Sequence, residues 1–244
     1  MFYKSKRIVT LLSVVALSIV LTLKNDTQIS AVSTESSSPI VHSEKLDNKQ
    51  SLNLNTQLPF IQNQGQLASQ VQFYAPTFAG SVYVTDQLEI VYALPNKQFD
   101  KSLILKESLV NPLPVNMTGK NPSKTKLSYF KGNDQKQWQS KVNVFDTVSV
   151  GEVYSGIELE LKAYANNVEK LFHLKPKAKA EQIAIVLDGA DSLSVNAKGE
   201  LQAYSSLGTI QFSKPVAFQQ VDNKKDYIEV AYAVTDNPQS LYRN

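Results

Sequence analysis

Short runs in which apolar and polar residues alternate recur along residues 56–234, separated by clusters of Gly, Pro, Asn and Asp. A period of two sends successive side chains to opposite faces of an extended chain, so each run predicts a strand with one face in a core and one in water. The clearest is residues 156–164, where Ile157, Leu159, Leu161 and Ala163 share one face and Glu158, Glu160, Lys162 and Tyr164 the other. Further strands are predicted at 71–75, 81–85, 88–94, 103–110, 126–131, 142–150, 168–174, 183–188 and 209–213.

Three reversals carry turn chemistry. Ala165, Asn166 and Asn167 separate 156–164 from 168–174, and Asn tolerates the left-handed backbone of a tight turn. A second hairpin turns through Asn196, Ala197, Lys198 and Gly199, and a third joins 216–221 to 227–234 through Asp222, Asn223, Lys224 and Lys225. Helix is scarce, its longest candidate being the two turns of 176–182. The pattern predicts an all-β, sandwich-like fold of antiparallel strands. It has room for two β subdomains, with joints in the Pro-rich stretch 111–125 and near 176–180. No internal repeat of fixed period is present, which argues against a complete propeller or solenoid within the chain.

The N-terminus has a different texture. Lys4, Lys6 and Arg7 precede sixteen uncharged residues, 8–23, in which four side chains carry a hydroxyl. A basic start followed by a short apolar run is the layout of an export signal. As a helix this run reaches about 24 Å against a hydrocarbon core of roughly 30 Å, which suits a cleaved leader better than a permanent span. Ala31 and Ser33 supply the small residues for cleavage, giving a signal peptide at 1–33 and a product that is secreted, cell-surface or periplasmic. Membrane contact is expected only through the leader if it stays uncleaved. Residues 34–55, rich in Ser, Asn, Gln and charge without a period, read as a flexible polar spacer ahead of the β-rich domain at 56–244.

Charge and cysteine content narrow the function classes. Of 25 basic and 22 acidic residues, four basic and one acidic lie in 1–33, leaving 21 of each. A neutral mature chain offers no electrostatic reason for a nucleic-acid partner. Cysteine is absent, which removes disulfides, thiolate nucleophiles and Cys-ligated zinc, so stability has to come from burial.

Residue types and spacings that carry catalytic chemistry are sparse. With His42 in the spacer and His173 in a strand as the two histidines, neither an imidazole metal site nor a Ser-His-Asp triad is supported, and no G-x-S-x-G elbow occurs. Isolated glycines at 132, 151 and 156 make no phosphate loop. Glu158 and Glu160 stand roughly 7 Å apart on one strand face, within reach of a glycosidase pair, but Lys162 beside them favours an ordinary solvated face. The Asn63-Gln64-Gly65-Gln66 segment reads as a turn whose amides serve its own backbone rather than a ligand. Tyr129, Asn133, Asp134 and the single tryptophan, Trp138, fall within ten residues around Gly132, the combination a carbohydrate-binding surface uses and also one in which Trp138 simply anchors a core edge.

Several segments in order carry a resemblance: FIQNQGQ at 60–66, VQFYA at 71–75, LSYFKGND at 127–134 with Trp138, GEVYSGIELEL at 151–161, NVEKLF at 167–172, DGA at 188–190 and KPVAFQ at 214–219. Together they resemble the uncharacterised N-terminal β-rich domain found ahead of SBBP (β-propeller) repeats in large bacterial exported proteins. The resemblance implies a β-rich exported module without transferable catalytic residues. It also implies downstream propeller repeats, which are absent here: the chain stops at Asn244, where a further strand is expected, and so reads as truncated at its C-terminus. The function expected is a non-catalytic structural or interaction module of a cell-surface or secreted protein, with no cofactor, no metal and an unknown protein or glycan partner. The alternatives are a carbohydrate-binding module contacting its ligand through Tyr129, Asn133, Asp134 and Trp138, and, less favoured, a glycoside hydrolase.

Overall fold

A computed structural model describes the backbone of 7–12 and 18–24 and the residues from 56 to 235 apart from 97–99, 131, 136–137, 166 and 222–223. The expected cleavage point at Ser33, the spacer 34–55 and the C-terminal end lie outside the described residues.

The fold is all-β, with twenty-one strands among the described residues. The first two, β1 (Arg7–Leu12) and β2 (Ser18–Lys24), fall within the expected leader. Then come β3 (Gln57–Leu58), β4 (Phe60–Gln62), β5 (Val71–Thr77), β6 (Gly80–Thr85), β7 (Glu89–Asn96) and β8 (Lys101–Leu109). The middle of the chain forms β9 (Thr118–Pro122), β10 (Leu127–Tyr129), β11 (Gln139–Val142), β12 (Val144–Tyr154), β13 (Ile157–Tyr164) and β14 (Val168–Leu174). A 3-10 turn, Ala180–Gln182, replaces the predicted helix and leads into β15 (Ala184–Asp188), β16 (Ser192–Val195), β17 (Leu201–Ser205) and β18 (Gly208–Phe212). The last three are β19 (Val216–Val221), β20 (Lys224–Ile228) and β21 (Ala231–Thr235).

Pairing is antiparallel throughout. One ladder runs β14, β13, β12, β4, β5, β6, β7, β8, β15. At its ends β1 bridges β15 to β21, and β2 bridges β14 to β19, so both N-terminal strands hold interior rather than edge positions. The stretch 111–125, expected as a surface loop or joint, contains β9, which lies along β12.

Flat, this ladder would set β14 and β8 roughly 34 Å apart, at about 4.8 Å per step. Instead Lys170 Nζ on β14 lies 2.7 Å from Glu107 Oε2 on β8. The sheet therefore folds over, face to face, in a sandwich-like arrangement. Alternation explains why it does: Ile157, Leu159, Leu161 and Ala163 of β13 are all buried, as are Val168 and Phe172 of β14 and Leu103 and Leu105 of β8. Each such aliphatic or aromatic side chain contributes about 1.5–3 kcal/mol when buried. They join Phe60, Tyr92, Phe212 and Tyr232 in one apolar cluster that spans the chain from β4 to β21, so both halves share a core.

One predicted element is different. The run 227–234 is two strands: Ile228 ends β20, which pairs with β19, and β21 begins at Ala231 and pairs with β1. Burial continues to alternate across the break, with Val230 and Tyr232 buried and Glu229 and Ala231 exposed. Side-chain pattern alone cannot show a change of hydrogen-bonding partner when the phase is kept.

Gly189, after β15, has φ +105°, and a Cβ there would lie 2.4 Å from the Ile104 carbonyl oxygen. Gly132 also has positive φ but open space around it. Gly189→Ala is expected to lower unfolding free energy by about 1–3 kcal/mol beyond Gly132→Ala, since it adds a backbone clash to the left-handed cost both share. Urea denaturation of the two variants measures the difference.

Candidate functional site

Two groups of side chains stand out, one on the surface and one in the core. The surface group belongs to the hairpin β10–β11, a two-stranded sheet separate from the main ladder. Alternation at its tip splits adjacent aromatics between faces. Tyr129 turns toward the domain, where Tyr74 of β5 donates a 2.6 Å hydrogen bond to its hydroxyl, and Tyr74 stacks in turn on Tyr83. Burial, reinforced by the bond with Tyr129, holds the Tyr74 phenol well above its ordinary range. Phe130 turns outward and is 65% exposed. Trp138, 37% exposed, packs edge-on against it with ring centroids 5.3 Å apart.

Of the four residues singled out in the sequence, Tyr129 is half-buried and tied to β5, and the other three are exposed. Asn133 and Asp134 are exposed in the turn between β10 and β11, beside Trp138 in the chain. The Trp138 indole N–H donates to the Gly132 carbonyl at 3.1 Å, and the tryptophan backbone N–H to Gln135 O, which fix the ring across its own turn. Tyr129 serves as an anchor to β5. Phe130, which the sequence reading passed over, takes its place as the outward aromatic; the signal was its alternation with Tyr129.

The Asn63-Gln64-Gly65-Gln66 segment beside this hairpin is a self-satisfied turn. Asn63 Nδ2 donates to the Ala68 and Val71 carbonyls at 2.9 and 2.8 Å, while its Oδ1 accepts from the Gly65 and Leu67 N–H groups. Gln66 donates to Gln62 O and accepts from Gln64 N. The Asn63 and Gln66 amides are spent on backbone groups of the turn, whereas Gln64 Nε2 lies 3.4 Å from the Gln62 side-chain oxygen. Glu158 and Glu160 have partners on the outer face: Lys175 Nζ is 2.9 Å from Glu158, and His173 Nε2 is 3.4 Å from Glu160. Both carboxylates stand on the outward face of β13, Glu158 exposed and Glu160 half-buried. Among the described residues, no three His, Asp or Glu side chains converge as a metal ion requires.

The core group comes from two charges that occupy apolar phases. Glu107 follows Leu103 and Leu105 at the inward positions of β8, and Lys170 stands between Val168 and Phe172 at those of β14. Their side chains are 3% and 2% exposed. Tyr92 of β7 donates to Glu107 Oε2 at 2.9 Å and lies 3.4 Å from Lys170 Nζ. The ammonium also sits 4.9 Å from the centre of the Phe212 ring. Each of two cavities of about 10 Å³, room for about one water, is lined by both Glu107 and Lys170; Phe172 lines one, Tyr232 the other. Nothing in the sequence reading marked this group, although a charge at an inward position of a strand was the available signal.

Residues 60–242 match the model of a domain of unknown function, DUF7948. No curated protein and no solved structure matches the chain.

Burial pushes the phenols of Tyr92 and Tyr232 far up, and the nearby Glu107 adds to both shifts. Because the folded state binds these protons more tightly than the unfolded state, their stabilising effect is complete below about pH 10 and is lost as pH rises above it. Stability is expected to fall above about pH 10 by up to about 1.4 kcal/mol per pH unit for each phenol. Tyr232→Phe, which removes one of them, should shallow that slope in urea melts recorded across the alkaline range.

Proposed function

The chain belongs to the DUF7948 family, and from that premise and the geometry above we propose that it is a non-catalytic interaction module of an exported protein, meeting its partner through the aromatic tip of β10–β11. The observation that carries this reading is Phe130, exposed to 65% beside the edge of Trp138. A large aromatic held out in water by a tied hairpin is costly unless it is covered in a complex, and aromatics are the residues that dominate interface energetics. The Tyr74–Tyr129 bond supports the same reading, since it fixes the hairpin before a partner arrives and reduces the ordering cost of binding.

Export rests on the basic and apolar layout of residues 1–23, and placement ahead of propeller repeats rests on the resemblance of the segments between 60 and 219. In that setting the module works at the cell surface or beyond it, as one part of a longer assembly. A second reading, carbohydrate binding, is favoured by the exposed Asn133 and Asp134 in the turn that precedes Trp138. It has to work through the ring of Trp138, because the indole N–H is already donated to Gly132.

A photo-crosslinking residue at position 130 in the exported chain is expected to give a discrete adduct on intact cells. The same residue at position 227, where Tyr227 is as exposed, should give none. Equal labelling at both positions, or none at 130, contradicts the proposal. A glycan array with the wild type and Trp138→Ala separates the second reading: a sugar signal abolished by the substitution favours it, and no signal in either protein removes it.

A further inference from the structure

We infer that Lys170 and Glu107 are the two halves of an intramolecular amide cross-link, which joins β14 to β8 through the core. The proposal rests on how the pair is enclosed. The amine nitrogen and a carboxyl oxygen are 2.7 Å apart, both side chains are almost fully buried, and the surrounding groups are Leu88, Ile90, Leu159 and Phe172 on one side and Ile185, Leu187 and Phe212 on the other. Two charges in such surroundings bear a desolvation cost that their mutual attraction offsets only partly. In the proposed reaction one proton first crosses the contact from ammonium to carboxylate, which gives a neutral amine against a neutral acid.

Those are the reactants of amide formation. The Lys170 Nζ lone pair attacks Glu107 Cδ and a tetrahedral carbon forms. The nitrogen then gives up a proton and one carboxyl oxygen leaves as water, so that an N–C bond is made, a C–O bond is broken and no electrons are exchanged with an outside group. Tyr92 is placed to relay the proton, since its hydroxyl reaches Glu107 Oε2 at 2.9 Å and Lys170 Nζ at 3.4 Å. The cavities beside the pair have room for the water released. Positioning of this kind substitutes for the high concentration that amide formation needs in solution.

The benefit follows from what the chain lacks. Without cysteine, a protein expected to work outside the cell has no disulfide to limit its unfolded state. A bond between residues 63 apart in sequence closes a loop of the size at which a covalent tie restricts the unfolded chain substantially.

Intact-mass measurement of the purified full chain, against the mass calculated for its determined N-terminus, is the test. The expected result is a deficit of one water, with tandem mass spectrometry of a digest finding the Glu107 peptide joined to the Lys170 peptide. Lys170→Arg should restore the full calculated mass whether or not it folds as well as the wild type. A wild-type chain that is folded by circular dichroism yet has its full mass and two separate linear peptides overturns the inference. A deficit that persists in Lys170→Arg also overturns it, because the water would then have left from somewhere else.

Discussion

A ladder of antiparallel strands with one apolar face has to cover that face, and in this chain the cover is the ladder itself. The helical content that might otherwise lie across a sheet is reduced to short turns such as Ala180–Gln182. Folding over brings β14 against β8 and places Lys170 and Glu107 in contact, although six strands separate them along the hydrogen-bonded order. Everything else in the architecture is arranged around that closure. β13 supplies the most completely buried face, Tyr92 and Phe212 pack edge to face beside the pair, and Tyr232 closes the side toward β21 with its hydroxyl on Ser213 O.

The closure also explains why the surface looks as it does. With the inward faces spent on a common core, outward faces carry ordinary paired charge, as with Glu158 and Lys175 or Lys106 and Glu89. Loops satisfy themselves, as Asn63 does through both ends of its amide. The hairpin β10–β11 departs from this economy, because it lies outside the main ladder and holds Phe130 into solvent. Other aromatics such as Phe78 and Tyr227 are as exposed, but the tip joins two exposed rings, Phe130 and Trp138, edge to face, which is why the proposed contact with a partner is placed there.

Much of the fold was legible in the sequence because it is written in a period of two. The buried residues of β13 are the ones its alternation named, and the hairpin at Asn196 forms with Asn196 Oδ1 accepting from the Lys198 and Glu200 N–H groups. The break between β20 and β21 was not legible, since it changes the partner strand and keeps the side-chain phase. The partners of the hairpin aromatics are not given by nearness in sequence: alternation sends Tyr129 to Tyr74 and leaves Phe130 beside the indole. Glu107 and Lys170 could each be seen to occupy an apolar phase. That they meet could not, because contact between strands 63 residues apart is set by how the whole ladder closes.

β8 and β14 belong to one core, and a shared core opens as a unit. Native-state amide hydrogen exchange on the full chain, followed as a function of urea, measures it directly. The slowest amides of β8, around Leu105, and of β14, around Phe172, are expected to exchange with the same free energy and the same urea dependence, both equal to those of global unfolding. Separate opening of the two strands, with different free energies and shallow urea dependence in one of them, would contradict it and would mean that the halves of the ladder fold as independent layers.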